Sequence, residues 1–119
     1  MAWVTIKRGA VYLANLNPPR GTEPGKTRPC LVIQNDLLNE AGHPSTTILP
    51  MTSRLVDDAL PLRFTIAARD SLRADAQILI DQTRAIDNRR FSSGVLTVLT
   101  ERELDLVEEC LKIVLGYEK

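Results

Sequence analysis

Aromatic side chains are scarce in this chain of 119 residues: one Trp, two Tyr and two Phe, namely Trp3, Tyr12, Tyr117, Phe64 and Phe91. So few rings exclude an extended platform on which successive bases could stack, and they argue against a peptide-binding groove walled by aromatics. Histidine occurs once, as His43 between Gly42 and Pro44, and reads as an exposed loop residue rather than a general base. The two cysteines, Cys30 and Cys110, are isolated. They read as buried free thiols, which fits a reducing, cytoplasmic location. No His, Cys, Asp or Glu cluster has ligand spacing, so neither a metal nor another cofactor is expected. Nucleophile-elbow, zinc-protease, CxxC and phosphate-loop patterns are all missing. Apolar runs are short. The start, MAWVTIKRGAVYL, is broken by Lys7 and Arg8 before a signal-length core forms, and nothing approaches a membrane span.

Net charge is absent as well, with 15 basic and 15 acidic residues. Its distribution is uneven. Residues 1–36 carry Lys7, Arg8, Arg20, Lys26 and Arg28 against Glu23 and Asp36, a net of about +3. Residues 101–119 carry about −3. A basic mouth on a neutral protein attracts an anion locally.

The length fits one domain over residues 1–119. Residues 10–16 and 30–33 are short apolar runs with β-branched members and read as strands. Between them lies the loop of residues 17–27, punctuated by Pro18, Pro19, Gly21, Pro24 and Gly25. Loops of this length inside compact domains tend to be functional. Arg28 precedes Pro29, which disfavours helical backbone at Arg28 and sets it at the start of a strand. The polar residues 34–45 read as a connection, and residues 46–49 as a strand stopped by Pro50. Residues 60–66 read as an edge strand and 67–76 as a solvated connection. Residues 77–86 read as one strand with Gln82 and Arg84 on a common face. Asp87 caps a turn, residues 91–94 link, and 95–98 form a last short strand. A helix follows. Thr100 and Glu103 make a capping box, Leu99 can staple onto Leu104, and Leu104, Val107, Leu111 and Val114 share a face that ends at Gly116. The class is therefore mostly β with a C-terminal helix, a small antiparallel β barrel covered by that helix.

With histidine and metal clusters missing, chemistry falls to Arg, hydroxyls, Gln and carboxylates. Arg28, Thr52 with Ser53, and Gln82 with Arg84 lie at strand ends that can converge. Arg binds phosphate oxygens as a bidentate fork and a hydroxyl adds a neutral hydrogen bond, a pairing suited to a phosphodiester. RNA supplies its own nucleophile, the 2′-OH, so a protein need only orient it and stabilise charge on the phosphate.

Four stretches, in order, carry a family likeness: Arg8-Gly9 through Arg28-Pro29-Cys30-Leu31-Val32-Ile33; Ile48-Leu49-Pro50-Met51-Thr52-Ser53; Asp81-Gln82-Thr83-Arg84-Ala85-Ile86-Asp87; and the final helix to Leu115-Gly116. Together they strongly resemble MazF/PemK-type toxins of toxin–antitoxin systems. The resemblance implies an SH3-like (CcdB/PemK) barrel that forms a homodimer and cleaves single-stranded RNA without a metal. It implies Arg28 and Thr52 as the catalytic pair, and 2′,3′-cyclic phosphate (or 3′-phosphate) and 5′-OH ends. Arg20, Glu23 and Lys26 on the loop, with Ser53, Gln82 and Arg84, are the implied RNA contacts. An antitoxin of the MazE kind, with an acidic disordered tail, is the implied protein partner. The alternatives are a gyrase-poisoning toxin of the CcdB branch and an inactive SH3-like binding module. Two positions depart from the family pattern: Ala10 stands where Asp is usual, and Pro24 where a flexible polar residue is common.

Overall fold

The computed structural model describes residues 5–117, so Trp3 lies outside the described residues. Its elements are β1 (Ala10–Asn15), β2 (Thr27–Val32), α1 (Asp36–Glu40), β3 (Ser45–Thr52), β4 (Arg63–Ile66), β5 (Ala76–Leu79), β6 (Arg84–Asp87), β7 (Thr97–Val98) and α2 (Glu101–Leu115). All pairings are antiparallel, in the order β4-β5-β3-β2-β1-β7, with β6 also on β3. The sheet curls into a half-barrel with α2 at its back, which bears out the expected class.

Two apolar layers follow from the strand alternation. Val11, Leu31, Leu49, Met51 and Ile78 point toward α2 and meet Val107 and Cys110. Tyr12, Ala14, Cys30, Val32, Ile48 and Ile86 form the second layer, against which Phe91 packs. Tyr12 is fully buried because its hydroxyl is satisfied: it donates to the Thr5 carbonyl at 3.1 Å and accepts from the Lys7 amide at 3.0 Å. Both cysteines are free and buried. Burial pushes the Cys30 thiol up to about 12, and the nearby Arg84 and Arg28 charges only partly oppose it.

The structure corrects several boundaries. Pro50 does not stop β3, which runs through it to Thr52. The Ile33 amide donates to the Thr47 carbonyl at 3.1 Å, so odd-numbered residues of β3 address β2 and Pro50 faces the opposite edge. There the partner changes from β6, paired through Ile48, to β5, paired from Met51. The missing N–H of Pro50 falls in that gap and costs no ladder bond. Residues 77–86 are not one strand: a 3-10 turn at Ile80–Gln82 separates β5 from β6, so Gln82 and Arg84 do not share a strand face. The stretch 34–45 contains α1, whose N-cap Asn35 accepts from the Leu37 amide at 2.8 Å. β2 begins at Thr27, earlier than expected, β4 only at Arg63, and Phe91 bridges to Ala14 rather than lying in a linker.

The stretch 67–76 is more than a solvated connection. Leu72 is buried, and the Arg69 and Leu72 backbones bond each other at 3.0 and 2.9 Å. Arg69 forks onto both carboxylate oxygens of Glu103 at 2.7 and 2.8 Å and adds Thr97 Oγ1 at 3.1 Å. Glu103 closes the expected capping box as well, accepting from the Thr100 amide at 2.8 Å. Its carboxyl is held below the ordinary glutamate range, first by the Arg69 hydrogen bond. A depressed folded-state pKa gives stability that is present above the unfolded value and drains as pH falls through the folded one. Glu103→Gln is therefore expected to cost about 1–2 kcal/mol at pH 7. The gap from wild type should narrow by pH 3, and urea unfolding at the two pH values measures it.

Candidate active site at the ends of two central strands

β2 and β3 pair as Cys30 with Pro50, Leu31 with Leu49 and Val32 with Ile48. The ladder ends at Cys30 and Pro50. Arg28 and Thr52, each two residues beyond that last pair, lie on the same sheet face as Cys30 and Pro50 at the ends of the two strands. Arg28 is half-buried, and its Nε donates to the Gly25 carbonyl at 2.7 Å. That bond fixes the plane of the guanidinium. Its two terminal nitrogens have no hydrogen-bond partner among the described residues. Thr52 is buried, and its hydroxyl oxygen accepts from the Arg54 amide at 3.1 Å. The hydroxyl proton is thereby left to donate to a ligand.

Gly25 belongs to a tight neck that returns the long loop to the sheet. The Leu16 amide donates to the Lys26 carbonyl at 2.8 Å, and the Lys26 amide to Asn17 Oδ1 at 2.7 Å. Arg90 clamps the same neck, donating to the Asn15 and Asn17 carbonyls at 3.0 and 2.7 Å. A Cβ on Gly25 would stand 2.8 Å from Pro19 Cδ, so the close approach needs glycine.

A groove of about 780 Å³ opens where these strands end, and Lys26, Arg28, Thr52 and Ser53 all line it. Of the other expected site residues, Arg20, Glu23, Gln82 and Arg84 do not line it. Glu23 and Arg84 stand together at the 4.0 Å limit of an ion pair. Arg84 lies opposite Ile48 in the register and acts on the Cys30 thiol together with Arg28, so it shares their sheet face. Arg20 is exposed on the loop, and Gln82 is half-buried on the 3-10 turn. Sequence reasoning missed two groove residues, Arg54 and Arg73. Arg54 directly follows the Thr52-Ser53 pair, which was the available signal; Arg73 had none.

The family model of PemK-like, MazF-like toxins of type II toxin–antitoxin systems matches residues 7–115. The chain belongs to this family. Endoribonuclease EndoA of Bacillus subtilis (strain 168) is 39% identical over 112 residues, covering 93% of this chain and 95% of that protein. MazF (Form-I) from Deinococcus radiodurans has the same fold, with a TM-score of 0.79 at 26% identity, covering 94% of this chain and 97% of that one. The MazE–MazF complex (Form-II) from the same organism matches with a TM-score of 0.73 at 26% identity, over 94% and 96% of the two chains. The expectation of a MazF/PemK toxin of the endoribonuclease type is borne out. Among the described residues no helix of this family member is long and apolar enough to cross a membrane.

Proposed function

We propose that this toxin cuts single-stranded RNA through the substrate's own 2′-OH, with Arg28 and Thr52 at the scissile phosphate. The supporting observation is an anchored guanidinium with free terminal donors and a hydroxyl with a free proton, carried by the ends of two paired strands and lining one groove. The 2′-OH gives up its proton to solvent water as the O2′–P bond forms, the P–O5′ bond breaks, and the departing 5′-oxygen takes a proton from solvent to become the 5′-OH. Negative charge grows on the non-bridging oxygens, where the fork of Arg28 and the Thr52 hydroxyl bind it more tightly than in the ground state. A guanidinium holds its proton too firmly to act as a general base. Arg28 therefore acts by charge stabilisation, or by hydrogen-bonded donation toward the departing 5′-oxygen. No metal is needed, since the substrate brings the nucleophile and the arginine the positive charge.

Arg20, Glu23, Gln82 and Arg84 lie outside the groove and serve bases or backbone beyond the cut, while Lys26 and Ser53, which line it, contact the RNA beside the scissile phosphate. A homodimer, and an antitoxin of the MazE kind whose acidic segment occupies the basic groove, follow from family likeness. The complex of a MazF from Deinococcus radiodurans with its MazE supports the latter. Family membership favours this reading over a gyrase poison or an inert module.

Incubating the protein with a long, unstructured RNA in EDTA and mapping the new 5′ ends tests the reading. Discrete cuts bearing 5′-OH and 2′,3′-cyclic or 3′-phosphate ends are expected. Intact RNA, or products with 5′-phosphates, would sink it.

A further inference from the structure

The groove that holds Arg28 and Thr52 is more basic than one scissile phosphate requires. Lys26, Arg28, Arg54 and Arg73 line it against a single carboxylate, Asp70. The Asp70 carboxylate is already engaged, accepting from Thr97 Oγ1 at 2.7 Å. The ion pairs among the described residues involve Arg8, Arg69, Arg84 and Arg89, so none of the four groove cations is neutralised. Arg54 and Arg73 are both exposed, and neither side chain has a hydrogen-bond partner among the described residues.

The segments that carry them, by contrast, are tied down. Arg54 donates its amide to Thr52 Oγ1 and accepts from Arg63 Nη1 at 2.9 Å. Arg73 follows buried Leu72 in the turn that the Arg69–Glu103 fork ties to α2. The groove thus carries two long cationic side chains, one just past β3 and one after the anchored turn at Arg69–Leu72, each without a partner among the described residues. Unneutralised like charges gathered around one groove repel each other and lower stability, a cost that an anionic ligand removes. A chain of phosphates is the anion already assigned to this groove.

We infer that Arg54 and Arg73 form a phosphate-binding pair that grips the RNA backbone beside the scissile phosphodiester. This rests on the ribonuclease reading above. The pair contributes affinity and register but touches no reacting atom, so it acts on KM rather than kcat. It also sets a minimum substrate length, because an RNA too short to reach the second phosphate gains nothing from it.

Oligoribonucleotides spanning one mapped cut, with flanks shortened stepwise, test the pair. Steady-state cleavage is followed for wild type, Arg54→Ala, Arg73→Ala and Arg73→Lys between 50 and 200 mM salt. The alanine variants are expected to raise KM on long substrates and leave kcat unchanged. Each should reduce the slope of log kcat/KM against log salt by about 0.7, one single-strand phosphate contact. Arg73→Lys should restore the slope, since a phosphate contact of this kind needs charge more than the planar fork. On the shortest substrates all four proteins should be equal.

Wild-type KM and salt slope in both alanine variants would overturn the pair, and so would a fall in kcat at constant KM. Normal RNA cleavage combined with weakened binding of an acidic antitoxin peptide would reassign both arginines to the protein partner. Absence of cutting by the wild type would instead sink the ribonuclease reading, and the pair with it.

Discussion

Replacing Arg28 with alanine is expected to lower kcat for RNA cleavage by about 10²–10³-fold, the cost of removing one preorganised donor from developing charge. The loss falls on the chemical step because the fork meets the phosphate best when its oxygens carry the most charge. Arg28→Lys should recover only part of the rate: it restores charge but neither the bidentate geometry nor the Nε bond to the Gly25 carbonyl. Thr52→Ala should cost less, as a neutral hydrogen bond is lost, although the Arg54 amide also loses its acceptor. Single-turnover rates with saturating enzyme separate this step from binding. Arg28→Ala that cuts RNA at the wild-type rate would remove Arg28 from the site.

Gly25→Ala is expected to reduce kcat by about 10²-fold without touching any group that meets RNA, because a displacement of about 1 Å in a positioning element has that effect. The added Cβ would lie 2.8 and 2.9 Å from two ring carbons of Pro19 and 3.0 Å from Asn17 Oδ1. Pro19 is a closed ring, and Asn17 Oδ1 is committed to the Lys26 amide, so neither yields readily. The neck must open, and the Gly25 carbonyl that sets the guanidinium plane moves with it. Adding Pro19→Gly removes both ring contacts and should return part of the lost rate, while thermal melts of single and double variants stay close. A Gly25→Ala protein with wild-type kcat would show that the neck does not position Arg28.

Much of this arrangement could be read from the amino acids because it is local. The capping box at Thr100 and Glu103, the αL stop at Gly116 and the two strands around a Pro- and Gly-rich loop follow from neighbouring residues alone. Pro29 marks Arg28 as the start of a strand, and Thr52 lies just past a run of strand formers, but their pairing as a site rests on the family resemblance rather than on local pattern. What escaped depends on partners distant in sequence. Pro50 continues a strand only because β6 and β5 exchange places beside it. The break between Gln82 and Arg84 is invisible in an alternating run that suits a strand or a turn equally. Arg73 joins the groove because Arg69, four residues earlier, is fastened to a glutamate 34 positions away. No local pattern encodes that.

The position of β1 in the sheet has a consequence for how the protein is made. β1 lies between β2, which follows it closely, and β7, which emerges some eighty residues later, and the Leu99 amide closes back onto the Gly9 carbonyl at 2.9 Å. Val11, Leu31 and Leu49 share their apolar cluster with Val107 and Cys110 of α2. Ribosomes add about 5–20 residues per second. For the seconds between the emergence of Thr52 and that of α2, a nascent chain carries both site residues on a sheet whose apolar back is uncovered. The β2–β3 pairing that brings Arg28 and Thr52 together is thus built from chain that emerges well before the helix that covers its apolar face.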